Sequence, residues 1–131
     1  MHTSMAPTVC FIEDCDLDFE MGTMGVRMEN PSVLIIRATS CRDGRDLIEK
    51  HRPKLIFLDL NLPNCNGFDV LQVLKDSLPD VLCGVVVFST SSNPSDRKRA
   101  LALGAIDFHS KSADPDQYLM TVRQLTASIL K

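Results

Sequence analysis

Two apolar stretches of this chain end on carboxylates. Leu55-Ile-Phe-Leu runs into Asp59, and Leu60-Asn61-Leu62-Pro63 and then Gly67 follow. Thr8-Val-Cys-Phe-Ile12 runs into Glu13-Asp14. Short runs of this kind read as buried strands. Alone, Asp59 reads equally as a loop-initiating turn residue or as a functional group in the crevice beyond the strand ends of an open sheet. Two later runs end on other polar groups: Gly84-Val-Val-Val-Phe88 on Ser89, and Ala105 to Ser110 on Lys111. A parallel sheet would gather Glu13, Asp14, Asp59, Ser89 and Lys111 at one edge. Two carboxylates about 4 Å apart repel by on the order of 4 kcal/mol at an effective dielectric of 20. A hard divalent cation relieves that repulsion, and carboxylates with a backbone carbonyl and waters suit Mg2+. With an ammonium and a hydroxyl beside them, these groups could surround a transferred phosphoryl group, the central carboxylate acting as nucleophile.

The elements that must position these groups follow from periodicity and caps. Asp16 or Asp18 is placed to cap a first helix. Its stripe of Leu17, Met21, Met24 and Met28 recurs at helical spacing and is expected to face the core. Gly22 and Gly25 weaken that helix by roughly 1 kcal/mol each relative to Ala, and Asn30-Pro31 ends it. Val33-Leu-Ile-Ile36 is a second strand, and Asp43 to His51 a short helix with Leu47 and Ile48 inward. Lys54 to Asp59 is the third strand. Asn66 caps a helix running to about Ser77, with Leu71, Leu74 and Leu78 on one face and Pro79 as its stop. Asn93-Pro94 supplies an N-cap and a proline at the first helical position; Gly104 is the C′ residue of that helix. Ala105 to Lys111 is a less apolar fifth strand, nearer an edge. Asp114-Pro115-Asp116-Gln117 has the form of a capping box, with Tyr118, Val122, Leu125 and Ile129 on the inward face of the last helix. Strands that read as continuous apolar runs mark a parallel sheet covered on both faces. Right-handed crossovers then give an α/β doubly wound three-layer sandwich of five strands and five helices.

The 131 residues suit one domain, expected over residues 8–131 behind a loose tail at 1–7. A net charge of −3 implies no general affinity for nucleic acid. No apolar run approaches the length of a membrane span, and Met1 to Pro7 lacks the features of a secretory signal. The five cysteines, Cys10, Cys15, Cys41, Cys65 and Cys83, are odd in number and irregularly spaced. That pattern argues against a disulfide framework or zinc site, and reduced, inert thiols in a cytoplasmic protein are expected. His2, His51 and His109 form no metal motif; His109 reads as a strand residue. Arg97-Lys98-Arg99 reads as a solvated face.

Taken in order, Glu13-Asp14, Asp59 within Leu-Asp-Leu-x-Leu-Pro-x-x-x-Gly, Ser89, Phe108 and Lys111 resemble the receiver domain of bacterial two-component response regulators. Asp14 and Asp59 are 45 residues apart, Asp59 and Ser89 30, Ser89 and Lys111 22. The resemblance covers about residues 8–130. It implies a flavodoxin-like sheet of strand order 2-1-3-4-5. It also implies that Asp59 accepts a phosphoryl group from a sensor histidine kinase or a histidine phosphotransfer protein. Asp14, Asp59 and the backbone carbonyl of Asn61 would hold Mg2+, with Glu13 acting through water. Lys111 would pair with the phosphoryl oxygens, Ser89 would swing towards them, and Phe108 would move inward behind it. The added charge would bias the face of helix four, strand five and helix five, where a protein partner docks.

The chain departs from the family pattern at three places. Ser89 stands where Thr is commoner, and Phe108 where Tyr is frequent. Ser112 stands where Pro usually follows the lysine; a cis bond before Ser would cost about 2.5 kcal/mol or more, so a trans Lys111-Ser112 bond is expected. No effector domain is expected after Lys131, so a stand-alone phosphoacceptor is expected, acting on protein partners and not on nucleic acid or membrane, with a homodimer and an origin in a longer protein left open. It would phosphorylate and dephosphorylate itself and not turn over as an enzyme, with Asn61 and Ser91 placed to tune its lifetime. A phosphorylation-independent interaction module of the same fold is the alternative, supported by Ser112. A haloacid-dehalogenase-like hydrolase would need Asp two residues after the nucleophile, where this chain has Asn61.

Overall fold

In the computed structural model, which describes residues 6–63, 65–91, 93–111 and 114–130, strands and helices alternate along the chain. They are β1 (Thr8–Ile12), α1 (Asp16–Glu29), β2 (Leu34–Ala38), α2 (Cys41–His51), β3 (Leu55–Asp59), α3 (Gly67–Ser77), β4 (Val85–Ser89), α4 (Pro94–Ala102), β5 (Asp107–Ser110) and α5 (Pro115–Ile129). Pro79 ends α3 as expected but also opens a 3-10 turn, Pro79–Gly84, that leads into β4. The strands pair in parallel in the order β2-β1-β3-β4-β5. This is the flavodoxin-like strand order.

The unbroken apolar runs divide between two faces. Cys10, Ile12, Ile56, Leu58, Val85, Val87 and Phe108 pack with Ile48 of α2, Leu71 and Leu74 of α3, and Ala100 of α4. Val9, Phe11, Leu55, Phe57, Val86 and Phe88 pack with Val26 of α1 and with Tyr118 and Val122 of α5. Strand order reverses between β1 and β3, so the crevice of the open sheet lies beyond their C-terminal ends. Ile12 is level with Leu58, and one further step along the register brings Glu13 level with Asp59.

Side-chain caps set four helix starts. Ser40 accepts from the Asp43 amide, Asn66 from Phe68, Asn93 from Ser95 and Asp114 from Asp116. Gly104 has φ 109°, the left-handed conformation expected after α4. Among the described residues, no helix is long and apolar enough to cross a membrane. The Lys111-Ser112 bond and most of the 1–7 tail lie outside the described residues.

Three expectations are corrected. First, the stripe of α1 meets the core only at Met21, which is partly buried against it; Leu17, Met24 and Met28 are each more than half exposed. The buried face carries Gly22, Gly25 and Val26 instead. A Cβ at Gly22 would run into the Phe11 ring, and one at Gly25 would come within 3.0 Å of Val122. Glycine lets α1 lie close to the sheet and to α5, and a periodicity count sees no apolar side chain there. Second, neither Asp16 nor Asp18 caps α1, because the N-cap is Cys15, whose side chain makes no capping bond. Asp16 pairs with Arg37 at 2.8 Å, and Asp18 serves elsewhere. Third, Cys41 and Cys65 form a disulfide with a Cα separation of 6.1 Å. Parallel topology sets the start of α2 beside the loop after β3, a juxtaposition that irregular cysteine spacing does not reveal.

The close seat of α1 is testable. Valine is a better helix former than glycine by roughly 0.5 kcal/mol, but the Phe11 ring is held between Phe19 at 5.4 Å and Phe57 at 4.9 Å and has little room to yield. Gly22→Val should therefore lower stability by about 1–3 kcal/mol in urea denaturation. Met24→Gln should change it by less than about 0.5 kcal/mol, and an inward methionine stripe would reverse that order.

Candidate functional site

Each polar group is delivered by the end of a strand. Glu13 follows β1, its backbone amide bonded to the Ala38 carbonyl at 2.9 Å. Asp59 closes β3 and Ser89 closes β4, at 4% and 1% exposure. Lys111 follows β5, its amide bonded to the Ser89 carbonyl at 2.7 Å. Asp14 is exposed at the rim. Glu13, Asp14 and Asp59 each offer an oxygen within 4.8 Å of the others.

Lys111 reaches over this cluster. Its Nζ lies 2.8 Å from Glu13 Oε1, 2.9 Å from Asp18 Oδ2 and 3.0 Å from Asp59 Oδ2. The second oxygen of each buried acid accepts a backbone amide: Asp59 Oδ1 from Asn61 at 2.8 Å, and Glu13 Oε2 from Cys15 at 3.1 Å. Burial pushes the Glu13 carboxyl up from its ordinary 4.5 to about 7; Lys111 pulls it down and the Asp59 charge adds to the rise. Burial works to lower the Lys111 pKa, but Glu13, Asp18 and Asp59 outweigh it and hold the ammonium charged. Tyr118, beneath the site, is also raised, first by burial and then by the Glu13 charge.

Two side chains at the site were not assigned from sequence. Asp18 read as a helix-capping acid, yet it is the third partner of Lys111. The available signal was its place four residues after Asp14, on the first turn of α1. The Asn61 side chain joins two loops: its Oδ1 accepts from the Thr90 amide at 2.7 Å, Thr90 Oγ1 at 3.0 Å and Ser89 Oγ at 3.2 Å. Ser89 thus bonds to Asn61, and its Oγ accepts from the Ser91 amide at 3.0 Å. Phe108 is already buried, at 4% exposure, where an inward movement was expected of it. Its carbonyl accepts from Arg97 at 2.8 Å, and Arg99 lies 4.2 Å from the centre of the Phe68 ring. The basic run on α4 is therefore bonded to its own fold as well as solvated. His109 is a strand residue, 3.0 Å from Asp107.

A family profile described as "Response regulator receiver domain" matches residues 10–123. The chain belongs to the response regulator receiver family. It is 34% identical over 129 residues to the nitrate/nitrite response regulator protein NarL of Escherichia coli (strain K12), an alignment covering 97% of this chain and 58% of NarL. This receiver thus spans little more than half the length of that relative. It is 41% identical over 83 residues to the regulatory protein LuxO of Vibrio cholerae, covering 60% of this chain and 18% of LuxO. Among solved structures, the phosphorylated cyanobacterial phytochrome response regulator RcpA superimposes with a TM-score of 0.88 at 24% identity, over 97% of this chain and 96% of that one. The Mn(2+)-bound form of response regulator Rcp1 does so with 0.80 at 22% identity, over 91% of each. At these identities the likeness is one of fold.

The donor set of the receiver suits a hard cation. Three carboxylates converge, and no thiolate or imidazole is among them. Two are buried, and their repulsion is offset here by one ammonium.

That ammonium carries a clear stability signature. Lys111→Met keeps the stem but leaves Glu13 and Asp59 buried without a cation, and should cost about 3 kcal/mol at pH 7.5 in chelator. Without Lys111 the Glu13 carboxyl rises further and is neutral at lower pH. The penalty should therefore shrink as pH falls to 5.5, measured as the difference in urea midpoint between variant and parent. An equal penalty at both pH values would mean that Lys111 does not balance Glu13.

Proposed function

We propose that this receiver is a phosphoacceptor in a two-component phosphorelay, with Asp59 as the residue that takes the phosphoryl group. The donor is a phospho-histidine on a sensor histidine kinase or a histidine phosphotransfer protein. The P–N bond to its imidazole breaks as a P–O bond to the Asp59 carboxylate forms. The observation that carries this reading is the Lys111 ammonium, held charged against the buried Asp59 by two further carboxylates. Transfer of this kind depends on positioning and charge neutralisation more than on covalent chemistry by the protein.

Within this reading, Asp14, Asp59 and the Asn61 backbone carbonyl hold Mg2+, with Glu13 acting through water. The cation supplies charge neutralisation at the phosphoryl oxygens. Lys111 pairs with the same oxygens and orients them. Ser89 leaves Asn61 to donate to the phosphoryl group, and Phe108 backs that loop from its buried place. Arg97, bonded to the Phe108 carbonyl, links the change to α4, so the face of α4, β5 and α5 is where a protein partner reads it. The output is protein docking in a cytoplasmic setting. Asn61 offers no carboxylic acid for hydrolytic turnover, so the receiver acts as a signalling acceptor.

Incubation with Mg2+ and acetyl phosphate, followed by intact mass measurement, tests the reading. The parent should gain one labile phosphate. Asp59→Asn should gain none, and neither should the parent in chelator. Lys111→Ala should slow the gain roughly 100-fold. An adduct that persists in Asp59→Asn would place the acceptor elsewhere.

A further inference from the structure

The Cys41–Cys65 bridge stands apart from the acidic cluster, yet it holds one of the loops that build it. Cys41 is the first residue of α2. That helix is seated hard on β1: a Cβ at Gly44 would lie 2.6 Å from the Ile12 side chain. Cys65 lies in the loop that runs from Asp59 to Asn66, the N-cap of α3. The loop folds closely on itself, since a Cβ at Gly67 would meet the Leu60 side chain at 2.6 Å. Through Asn61 it donates to Asp59 and grips Ser89 and Thr90. The bridge therefore ties the Asp59 loop to a helix fixed on the strand that delivers Glu13 and Asp14.

We propose that Cys41–Cys65 is a reversible redox site, exchanged by a dithiol protein or a small-molecule disulfide, and that its state sets how firmly the Asp59 loop is ordered for a divalent cation. The coupling to the cation rests on the metal site of the phosphoacceptor reading; the thiol chemistry does not.

The surroundings suit exchange. Cys41 sits at the N-terminus of α2 and Cys65 just before that of α3, where helix dipoles favour negative charge. Arg45 lines the same cavity of about 250 Å3, with Asn66 and the opposing charge of Asp69. An environment that stabilises thiolate stabilises the reduced pair, which makes a disulfide easier to reduce. Cys65 is half-buried at this cavity, within reach of an attacking thiolate. By contrast, Cys10 is buried and its thiol is pushed up to about 12 by that burial, while Cys15 and Cys83 are exposed and unbridged. In a reducing compartment, a disulfide is more often transient or sensing than structural.

The exchange balances. A dithiol breaks the S–S bond, passes two electrons and two protons to the Cys41 and Cys65 sulfurs, and becomes a disulfide itself. A small-molecule disulfide such as oxidised glutathione runs the reverse, taking the two electrons and two protons and leaving as two thiols. In the bridged form Asn61 is held ready beside Asp59, so less ordering is needed when the cation binds. By linkage, the cation must oppose reduction of the bridge by the same factor.

The test uses the whole chain equilibrated in glutathione buffers of graded redox poise. Thiols are then labelled with maleimide under denaturing conditions and mapped by mass spectrometry. Of the five cysteines, Cys41 and Cys65 should lose and regain label together without gaining glutathione, while the exposed Cys15 and Cys83 lose label only by taking one glutathione each and the buried Cys10 stays labelled. Full labelling of all five in every buffer, or pairing through Cys15, would overturn the redox site. Mg2+ titration calorimetry on the two forms should show the bridged form binding roughly five-fold or more tightly. Cys65→Ser, altered on the half-buried side, should bind Mg2+ like the reduced form in any buffer. Equal affinities overturn the coupling. No Mg2+ binding in either form overturns the metal site and the coupling with it, while the labelling pattern still decides the bridge.

Discussion

One ammonium group allows this sheet edge to exist in its present form. Glu13 and Asp59 are nearly inaccessible to solvent and stand side by side because β1 and β3 are neighbours in register. Two charges so placed need a counter-charge, and Lys111 supplies it from the far side of β4. Its reach joins β5 to β1, β3 and α1 through a single atom. The same arrangement makes the site responsive. An ammonium that balances several acids is also a group that a new anion can compete for, and the backbone amides on Asp59 and Glu13 keep both carboxylates in place while that competition is settled.

Much of this was legible in the chain because parallel topology turns order into position. Once four apolar runs were recognised as parallel strands, Glu13, Asp14, Asp59, Ser89 and Lys111 had to share an edge, whatever the helices did. The caps at Asn66, Asn93 and Asp114 were legible for a similar reason, since a short polar side chain before a helix acts on its own neighbours. The Met24 and Met28 stripe misled because helical periodicity reports which residues are apolar, not which face can approach a neighbour most closely. Gly22 and Gly25 won that face by having no side chain. Asp18 and the Asn61 amide were hidden because their partners are far along the chain. The disulfide was hidden for the same reason: it depends on a loop path that composition does not encode.

Family membership places these details in proportion. The receiver fold is shared with proteins of quite different sequence, such as RcpA at 24% identity, so the sheet and its crevice are general. Around the crevice this chain adds further contacts: Asp18 as a third acid on Lys111, a buried Phe108 with Arg97 on its carbonyl, and a cross-link between α2 and the Asp59 loop. None of these alters the strand order. All act on the loops that the strands present, where small differences in order change what a charged group can reach.

The Asn61 side chain has a final consequence. An amide oxygen carries two lone pairs, and Asn61 Oδ1 faces three donors. The acceptor is oversubscribed, and the Ser89 hydroxyl, at 3.2 Å, is the most distant claimant. Ser89 can leave without emptying the acceptor, because Thr90 keeps both of its bonds. One loop is thus latched by Thr90, while Ser89 can swing its proton away from Asn61 and still accept from the Ser91 amide. That proton is a reserve beside the site, available to whatever anion arrives there.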